Sequence, residues 1–254
     1  LLLPMAVSAG YKEWTALKAF SITALGAFVL GLLLTLICRS KNRVIYAKEG
    51  FAIVAASWLS AALIGAFPFV ISKEIPNYIN AFFETVSGFT TTGASILEDV
   101  EAMSHGMLFW RSFTHFIGGM GFLVFVMAII PNISDRSMHI MRAEIPGPVV
   151  GKLVPKIKDT AKILYIIYFC MTVVEIIMLI CGGMPAFDSV LLSFGSAGTG
   201  GFGIKSDSVT SYSPYCQWVI GVFMMLFGIN FNVYFLLLIR HFKSALKTSE
   251  MWCY

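Results

Sequence analysis

The sequence predicts an all-α polytopic membrane protein. Of its 254 residues, 57% are hydrophobic and only 13% are charged, and the mean hydropathy is +0.81. Soluble domains have about a quarter charged residues, so this chain could not cover a globule of its size with a solvated surface. A shorter apolar run, Leu1 to Val7, is interpreted as the end of a helix whose start is missing. Runs long enough to cross the hydrocarbon layer, about 20 residues each, are 14–37, 48–71, 105–130, 163–181 and 216–239.

Basic residues mark the loops on one side of the membrane. Three segments, 39–48, 136–162 and 240–247, hold 13 of the 18 lysines and arginines. Because cytoplasmic loops are enriched in Lys and Arg, these segments are predicted to face the cytoplasm. The net charge of +4 therefore reflects topology and gives no indication of nucleic-acid binding. The opposite loops are acidic, which raises the local concentration of cations.

The chain contains an internal repeat. A shift of 107 residues without gaps aligns "FFETVSGFTTTGASI" with "SVLLSFGSAGTGGFGI" and pairs Gly93 with Gly200 and Thr92 with Thr199. Each copy runs from an apolar span through a short semi-polar stretch and a Gly/Thr loop to a second apolar span. The short stretches, 77–88 and 185–195, cannot cross a membrane, and this length between two spans is typical of a re-entrant helix. Irregular backbone after such a helix must be buried in protein or line a water-filled cavity.

The glycines of the second copy allow two hypotheses. Gly198-x-Gly200-x-x-Gly203 has the spacing of a dinucleotide-binding loop, which needs a strand before it, a helix directly after it and an acid about 20 residues on. A turn-like stretch follows instead, and no acid occurs between Asp207 and Glu250. An ion filter fits better, because it needs glycines to direct backbone carbonyls inward and gains uncharged oxygen ligands from threonine. "TTTGA" and "GTGGF" supply both residue types.

On these residues the chain resembles the Trk/Ktr potassium-uptake family, the Trk-type membrane subunit in particular. The matching motifs are "FFETVSGFTTTGAS", "WRSFTHFIGGMGFLVF", "KLVPKIKDTAKILYIIY", "SAGTGGFGIKSDS" and "FGINFNVYF". The resemblance implies potassium-channel-like M1–P–M2 repeats (outer helix, re-entrant pore helix, inner helix), four around one pore, of which this chain holds the first two. It implies an incomplete transmembrane hairpin at 1–43, pore repeats at 44–150 and 151–248, and the start of a missing C-terminal half at 249–254.

The resemblance also implies the filter residues. Gly93 and Gly200 are expected to be the filter glycines. The expected ion-binding set is Thr90, Thr91, Thr92, Gly93, Ala94, Ala197, Gly198, Thr199, Gly200 and Gly201. Potassium, the transported ion, is expected at the oxygens of Thr91, Thr92, Gly93, Gly198, Thr199 and Gly200.

By the same resemblance, the chain is expected to translocate potassium across the bacterial inner membrane and not to be an enzyme. Its expected partners are membrane lipid, a second full-length chain in a homodimer, and a cytosolic nucleotide-binding regulatory ring, with no nucleic acid. The segment 146–162 is either a docking surface for that ring or a solvated linker. The competing hypotheses are a symporter coupled to sodium or protons, a membrane oxidoreductase and a non-transporting scaffold.

Four polar residues in or beside the spans carry separate expectations. Arg111 and Glu84 are predicted to form a structural ion pair that ties the pore helix to the inner helix. His115 is predicted to be a hydrogen-bonded packing residue. Glu175, within "MTVVEIIMLI", lies on the ion path, has a partner on a neighbouring helix or lies close to the outer interface, since an acid inside a membrane is costly.

Overall fold

A computed structural model describes residues 1–37, 47–121 and 157–238, and every regular element in these ranges is an α-helix. Three of the helices contain segments long and apolar enough to cross a membrane, namely Trp14–Ile37, Phe51–Ile71 and Lys162–Cys181. The helices in chain order are α1 (Leu2–Gly10), α2 (Trp14–Ile37), α3 (Ala47–Ile71), α4 (Tyr78–Phe89), α5 (His105–Gly119), α6 (Ile157–Cys181), α7 (Ala186–Ala197), α8 (Pro214–Gly228) and α9 (Phe231–Leu238).

The same order of elements occurs twice. A long helix (α3 or α6) leads to a 12-residue helix (α4 or α7), an irregular loop and a 15-residue helix (α5 or α8). At about 1.5 Å per residue the two short helices are about 18 Å long, less than the thickness of the hydrocarbon layer. The two predicted short helices are confirmed, and each ends one or two residues later than predicted.

Local sequence explains where the short and inner helices begin. The Asn77 side chain accepts a hydrogen bond from the Ile79 amide at 2.8 Å and caps α4. Pro185 precedes α7, and Pro214 occupies the first turn of α8, where its missing N–H costs nothing.

The last predicted span, 216–239, is wrong as a single helix. Helix α8 ends at Gly228, Ile229 is extended with φ −71° and ψ 140°, and α9 starts at Phe231. The Tyr234 hydroxyl donates a 2.6 Å hydrogen bond to the Leu226 carbonyl across the break. Hydropathy does not reveal this break, because Asn230 is the only polar residue between Gly228 and Phe231 and the run around it stays apolar on average. For the predicted span 105–130, α5 ends at Gly119, and everything beyond residue 121 lies outside the described residues.

An aromatic cluster packs the first copy against the second. Phe194 of α7 contacts the rings of Phe109, Phe113 and Phe116 on α5, with centroids 4.8 to 5.8 Å apart. Tyr168 of α6 is fully buried, and its hydroxyl donates to the Phe116 carbonyl at 2.9 Å. Helix α5 of the first copy therefore packs directly against α6 and α7 of the second copy.

Two carboxylates from other segments cap the start of α5. Glu13, between α1 and α2, accepts hydrogen bonds from the amides of His105 (2.8 Å) and Gly106 (2.9 Å). Glu74, between α3 and α4, accepts from the Ser104 amide and hydroxyl at 3.0 and 2.7 Å. Negative charge at a helix N-terminus is favourable, so these contacts stabilise the α1–α2 and α3–α4 connections against the start of α5. Burial alone would raise the pKa of Glu13, but the Gly106 and His105 amides and the His105 ring outweigh it and lower that pKa below its ordinary value.

We expect Glu13→Gln to lower the thermal stability of the purified protein at neutral pH, by about 1 kcal/mol, a typical cap contribution. A lowered carboxyl pKa contributes stability above the unfolded-state pKa and loses it as pH falls through the folded-state pKa. The difference between wild type and variant, measured by thermal unfolding in detergent, should therefore shrink on acidification. Glu98→Gln, at an exposed acid of the loop before α5, is the matched control and should change little. A stability difference that persists at low pH would contradict this account of Glu13.

Candidate functional site

Two loops of matching backbone conformation follow α4 and α7. Thr91 and Gly93 have φ of 53° and 74°, and Thr199 and Gly201 have φ of 56° and 68°. Glycine adopts this left-handed region freely, but for a β-branched threonine it is rare and strained. Strain of this kind persists only where the surrounding structure imposes it, and it concentrates at functional sites. The same strained pattern occurs once in each copy.

The structural spacing of the two copies is one residue longer than the sequence alignment indicates. The short helices cover 78–89 and 186–197, and the left-handed glycines are residues 93 and 201, so the spacing is 108. The 107-residue register is therefore wrong over the pore helix and loop, and Gly93 corresponds to Gly201 rather than to Gly200. Adjacent glycines in "GTGGF" allow both alignments, and only the backbone angles distinguish them.

The two loops touch each other at their glycines. A Cβ atom on Gly93 would overlap the carbonyl oxygen of Gly200. A Cβ atom on Gly200 would overlap the His115 ring and lie 2.5 Å from the Thr91 carbonyl oxygen. Thr91 and Gly93 of the first loop thus meet Gly200 of the second, and this close backbone approach explains the need for glycine at positions 93 and 200.

The predicted site residues differ in accessibility. Ala197 is the last residue of α7 and Gly198 follows it, and both are buried in packing rather than open to solvent. The hydroxyl oxygens of Thr90 and Thr92 lie 2.8 Å apart, and Thr90 also donates to the Val86 carbonyl. Thr91, Gly93 and Gly200 are half-buried. The exposed members of the set are Thr90, Thr92, Ala94, Thr199 and Gly201.

The predicted ion pair between Arg111 and Glu84 is confirmed. The Arg111 Nε atom lies 2.6 Å from Glu84 Oε1, and the two side chains are 3% and 0% exposed. Glu84 also accepts hydrogen bonds from the Ser95 hydroxyl and the Ile96 amide, both at 2.9 Å. The pair therefore links α4, α5 and the loop segment that follows Gly93.

Sequence analysis missed two further contacts of Arg111. Its Nη1 atom donates a 2.5 Å hydrogen bond to the Gly203 carbonyl, and its guanidinium carbon lies 3.4 Å from the centroid of the Phe202 ring. A backbone carbonyl carries no signal in the sequence. Phe202, directly after the glycines, is a recognisable cation–π partner for a membrane arginine in the sequence.

The other two polar residues are buried without hydrogen bonds inside the described ranges. His115 stacks on Phe202 with ring centroids 4.3 Å apart, and neither ring nitrogen has a hydrogen-bond partner there. Its packing role is confirmed, but the expected hydrogen bond is not found among these residues. Both carboxyl oxygens of Glu175 likewise lie beyond hydrogen-bond distance of a partner among them, and Ser196 of α7 is the polar side chain near enough to act on this carboxyl group.

The dinucleotide hypothesis fails on local structure. The glycines from Gly198 to Gly203 follow a helix, not a strand, and the next helix starts only at Pro214. Within the described part of the chain, no group of three or more His, Cys, Asp or Glu residues could hold a metal ion. The oxygen atoms that the two loops offer are carbonyls and threonine hydroxyls, which are suitable ligands for a weakly hydrated monovalent cation.

Comparisons with known proteins agree with this geometry. The TrkH family model, described as a cation transport protein, matches residues 16–252. The Trk system potassium uptake protein TrkH of Salmonella typhimurium is 37% identical over 242 residues, which are 94% of this chain and 50% of that protein. The Trk system potassium uptake protein TrkG of Escherichia coli is 32% identical over 255 residues, 99% of this chain and 52% of that protein.

A solved structure matches along the same length. The potassium transporter TrkH from Vibrio parahaemolyticus superposes with a TM-score of 0.77 at 27% identity, covering 99% of this chain and 50% of that one. This chain thus spans about half the length of the relatives it matches, and it has their all-α membrane architecture with pore-helix repeats. The family-model match covers nearly the whole chain, and the chain belongs to the TrkH family of cation transport proteins.

Proposed function

We propose that the two Gly/Thr loops are two strands of a potassium filter, and that the chain contributes them to a pore closed by further repeats. The observation that carries this proposal is the repeated backbone pattern, in which Thr91 and Gly93, like Thr199 and Gly201, have left-handed φ angles. The family relatives named for potassium uptake support potassium as the ion. Residues 44–150 and 151–248 would be the two pore repeats, after the hairpin at 1–43.

Each part of the loops has a role in this mechanism. The pore helices α4 and α7 end immediately before the loops, so the partly negative C-terminal ends of both helices favour a cation there. Carbonyl and hydroxyl oxygens replace the water that the ion loses on entry. Potassium would then move down its electrochemical gradient, and no chemical step is required. A single left-handed glycine per strand makes a short filter, so we expect some sodium and rubidium to pass as well.

The setting of the pore is part of the proposal. The basic segments would face the cytoplasm of a bacterium, with the chain in its inner membrane and two complete proteins forming a dimer. A nucleotide-binding regulatory ring would dock on the cytoplasmic face. Residues 122–156, which include most of the expected docking segment 146–162, lie outside the described residues.

The first test replaces the left-handed glycines. In the complete transport protein, expressed in a strain without its own potassium uptake systems, Gly93→Ser and Gly201→Ser should each reduce potassium uptake about tenfold or more, or broaden ion preference. The physical reason is the strain of about 1–2 kcal/mol that a side chain suffers in this region, joined at position 93 by overlap with Gly200. Rubidium and sodium uptake, with protein abundance in the membrane, are the measurements.

Gly183→Ser is the matched control for these glycines. Gly183 also has a left-handed φ, 85°, but a Cβ atom there would meet nothing within 4 Å, and it lies in the turn between α6 and α7. The control should lose a similar amount of stability and keep its ion preference. If all three variants transport alike, the loops are only connections between helices.

Coupled transport is the second candidate function, and Glu175 is the observation that favours it. A buried carboxyl group with only Ser196 beside it among the described residues could carry a proton or bind sodium. The filter proposal predicts that potassium uptake into proteoliposomes follows the membrane potential and is unchanged when the proton or sodium gradient is removed. Glu175→Gln should then leave the ion dependence unchanged. Uptake that requires a second ion gradient, and loses that requirement in Glu175→Gln, would establish symport instead.

A further inference from the structure

The buried guanidinium of Arg111 contacts the second filter loop directly and is linked to the first through Glu84. It forms an ion pair with Glu84, which in turn holds the Ser95 hydroxyl of the first loop. Its Nη1 atom donates to the Gly203 carbonyl of the second loop. We propose that Arg111 is a specificity-determining positioning residue, which sets the separation of the two loops just beyond their glycines and thereby the preference for potassium over sodium. This inference rests on the proposed filter.

The contacts fall on equivalent positions of the two loops. Ser95 is the second residue after Gly93, and Gly203 is the second residue after Gly201. At the structural spacing of 108 residues, Ser95 and Gly203 correspond to each other. The Glu84–Arg111 ion pair therefore contacts equivalent positions of the two loops. Its carboxylate binds Ser95 of the first loop, and its guanidinium binds Gly203 of the second.

At the equivalent positions, which the structure describes, the second copy has no such pair. The spacing of 108 places Leu192 at the position of Glu84, and the spacing of 109 between the starts of α5 and α8 places Ile220 at the position of Arg111. Both side chains are buried, with 4% and 8% exposed. The second loop thus depends on the charged group of the first copy for this contact.

Arginine is required by the shape of the contact. Its planar fork presents Nε to Glu84 and Nη1 to Gly203, while its face lies over Phe202. Lysine has one compact ammonium group and cannot make these three contacts at once. Arg111→Lys therefore keeps the charge beside Glu84 and removes the geometry, which separates positioning from charge.

The test compares ion preference with protein abundance in the complete transport protein. Arg111→Lys should reach the membrane, and its potassium-over-sodium preference should fall about tenfold. One charge-assisted hydrogen bond contributes about 1.4 kcal/mol, which corresponds to that factor. Ser112→Ala, at the buried neighbouring position on α5, is the control and should keep the wild-type preference. Wild-type preference in Arg111→Lys would overturn the proposal.

Two further variants keep the test decisive if Arg111→Lys fails to fold. Phe202→Leu removes the ring under the guanidinium and should lower the preference in the same direction. If it leaves the preference unchanged while Arg111→Lys is absent from the membrane, the proposal is overturned. The double variant Glu84→Gln with Arg111→Gln removes both charges, so its abundance should recover relative to Arg111→Gln alone, because no unpaired buried charge remains.

The double variant also separates positioning from plain structural support. We expect it to recover abundance without recovering ion preference, whereas recovery of both together would overturn the proposal. Failure of the inference also differs from failure of the filter proposal. If Gly93→Ser abolishes uptake while the Arg111 variants keep normal preference, only this inference fails. If Gly93→Ser transports normally, the filter itself is refuted.

Discussion

Irregular backbone between membrane helices is stable only when its amides and carbonyls find partners within the protein, and both loops are built around this constraint. The Thr92 amide donates to the Ser87 carbonyl at 3.0 Å, and the Ser87 hydroxyl donates to the Ala94 carbonyl at 2.5 Å. In the second copy the Gly201 amide donates to the Gly195 carbonyl at 3.3 Å. Each pore helix therefore anchors the loop that follows it, so that helix and loop form one structural unit.

Much of this architecture could be predicted because membrane insertion imposes length rules on the sequence. The long spans and the two short helices follow from counting apolar residues, and the glycines mark where helix gives way to loop. The break between Gly228 and Phe231 could not be found in this way, since it depends on the extended conformation of Ile229 within an apolar run. The register error at Gly200 has a similar cause, because adjacent glycines are chemically equal and only tertiary contacts decide which becomes left-handed.

Within the site, contacts between charged side chains could be predicted from the sequence, but contacts to backbone carbonyls could not. A charged residue of each sign near one end of neighbouring membrane helices must find a partner, so Arg111 and Glu84 could be paired from sequence. The third partner could not, because the Gly203 carbonyl is a backbone group. His115 shows the opposite limit. An imidazole is expected to form hydrogen bonds, yet in the described residues it packs flat on Phe202 without any.

The two copies have the same loop conformation although few of their residues are identical. Two left-handed residues define each loop, so only those positions and the close glycine contacts are strictly constrained. Glu84, paired with Arg111, holds the segment after Gly93, whereas the positions equivalent to this pair in the second copy are occupied by the buried apolar side chains of Leu192 and Ile220. Because the second loop still takes its Gly203 contact from α5, it is not independent of the first. The two copies are therefore parts of one packed unit and do not hold their loops independently of each other.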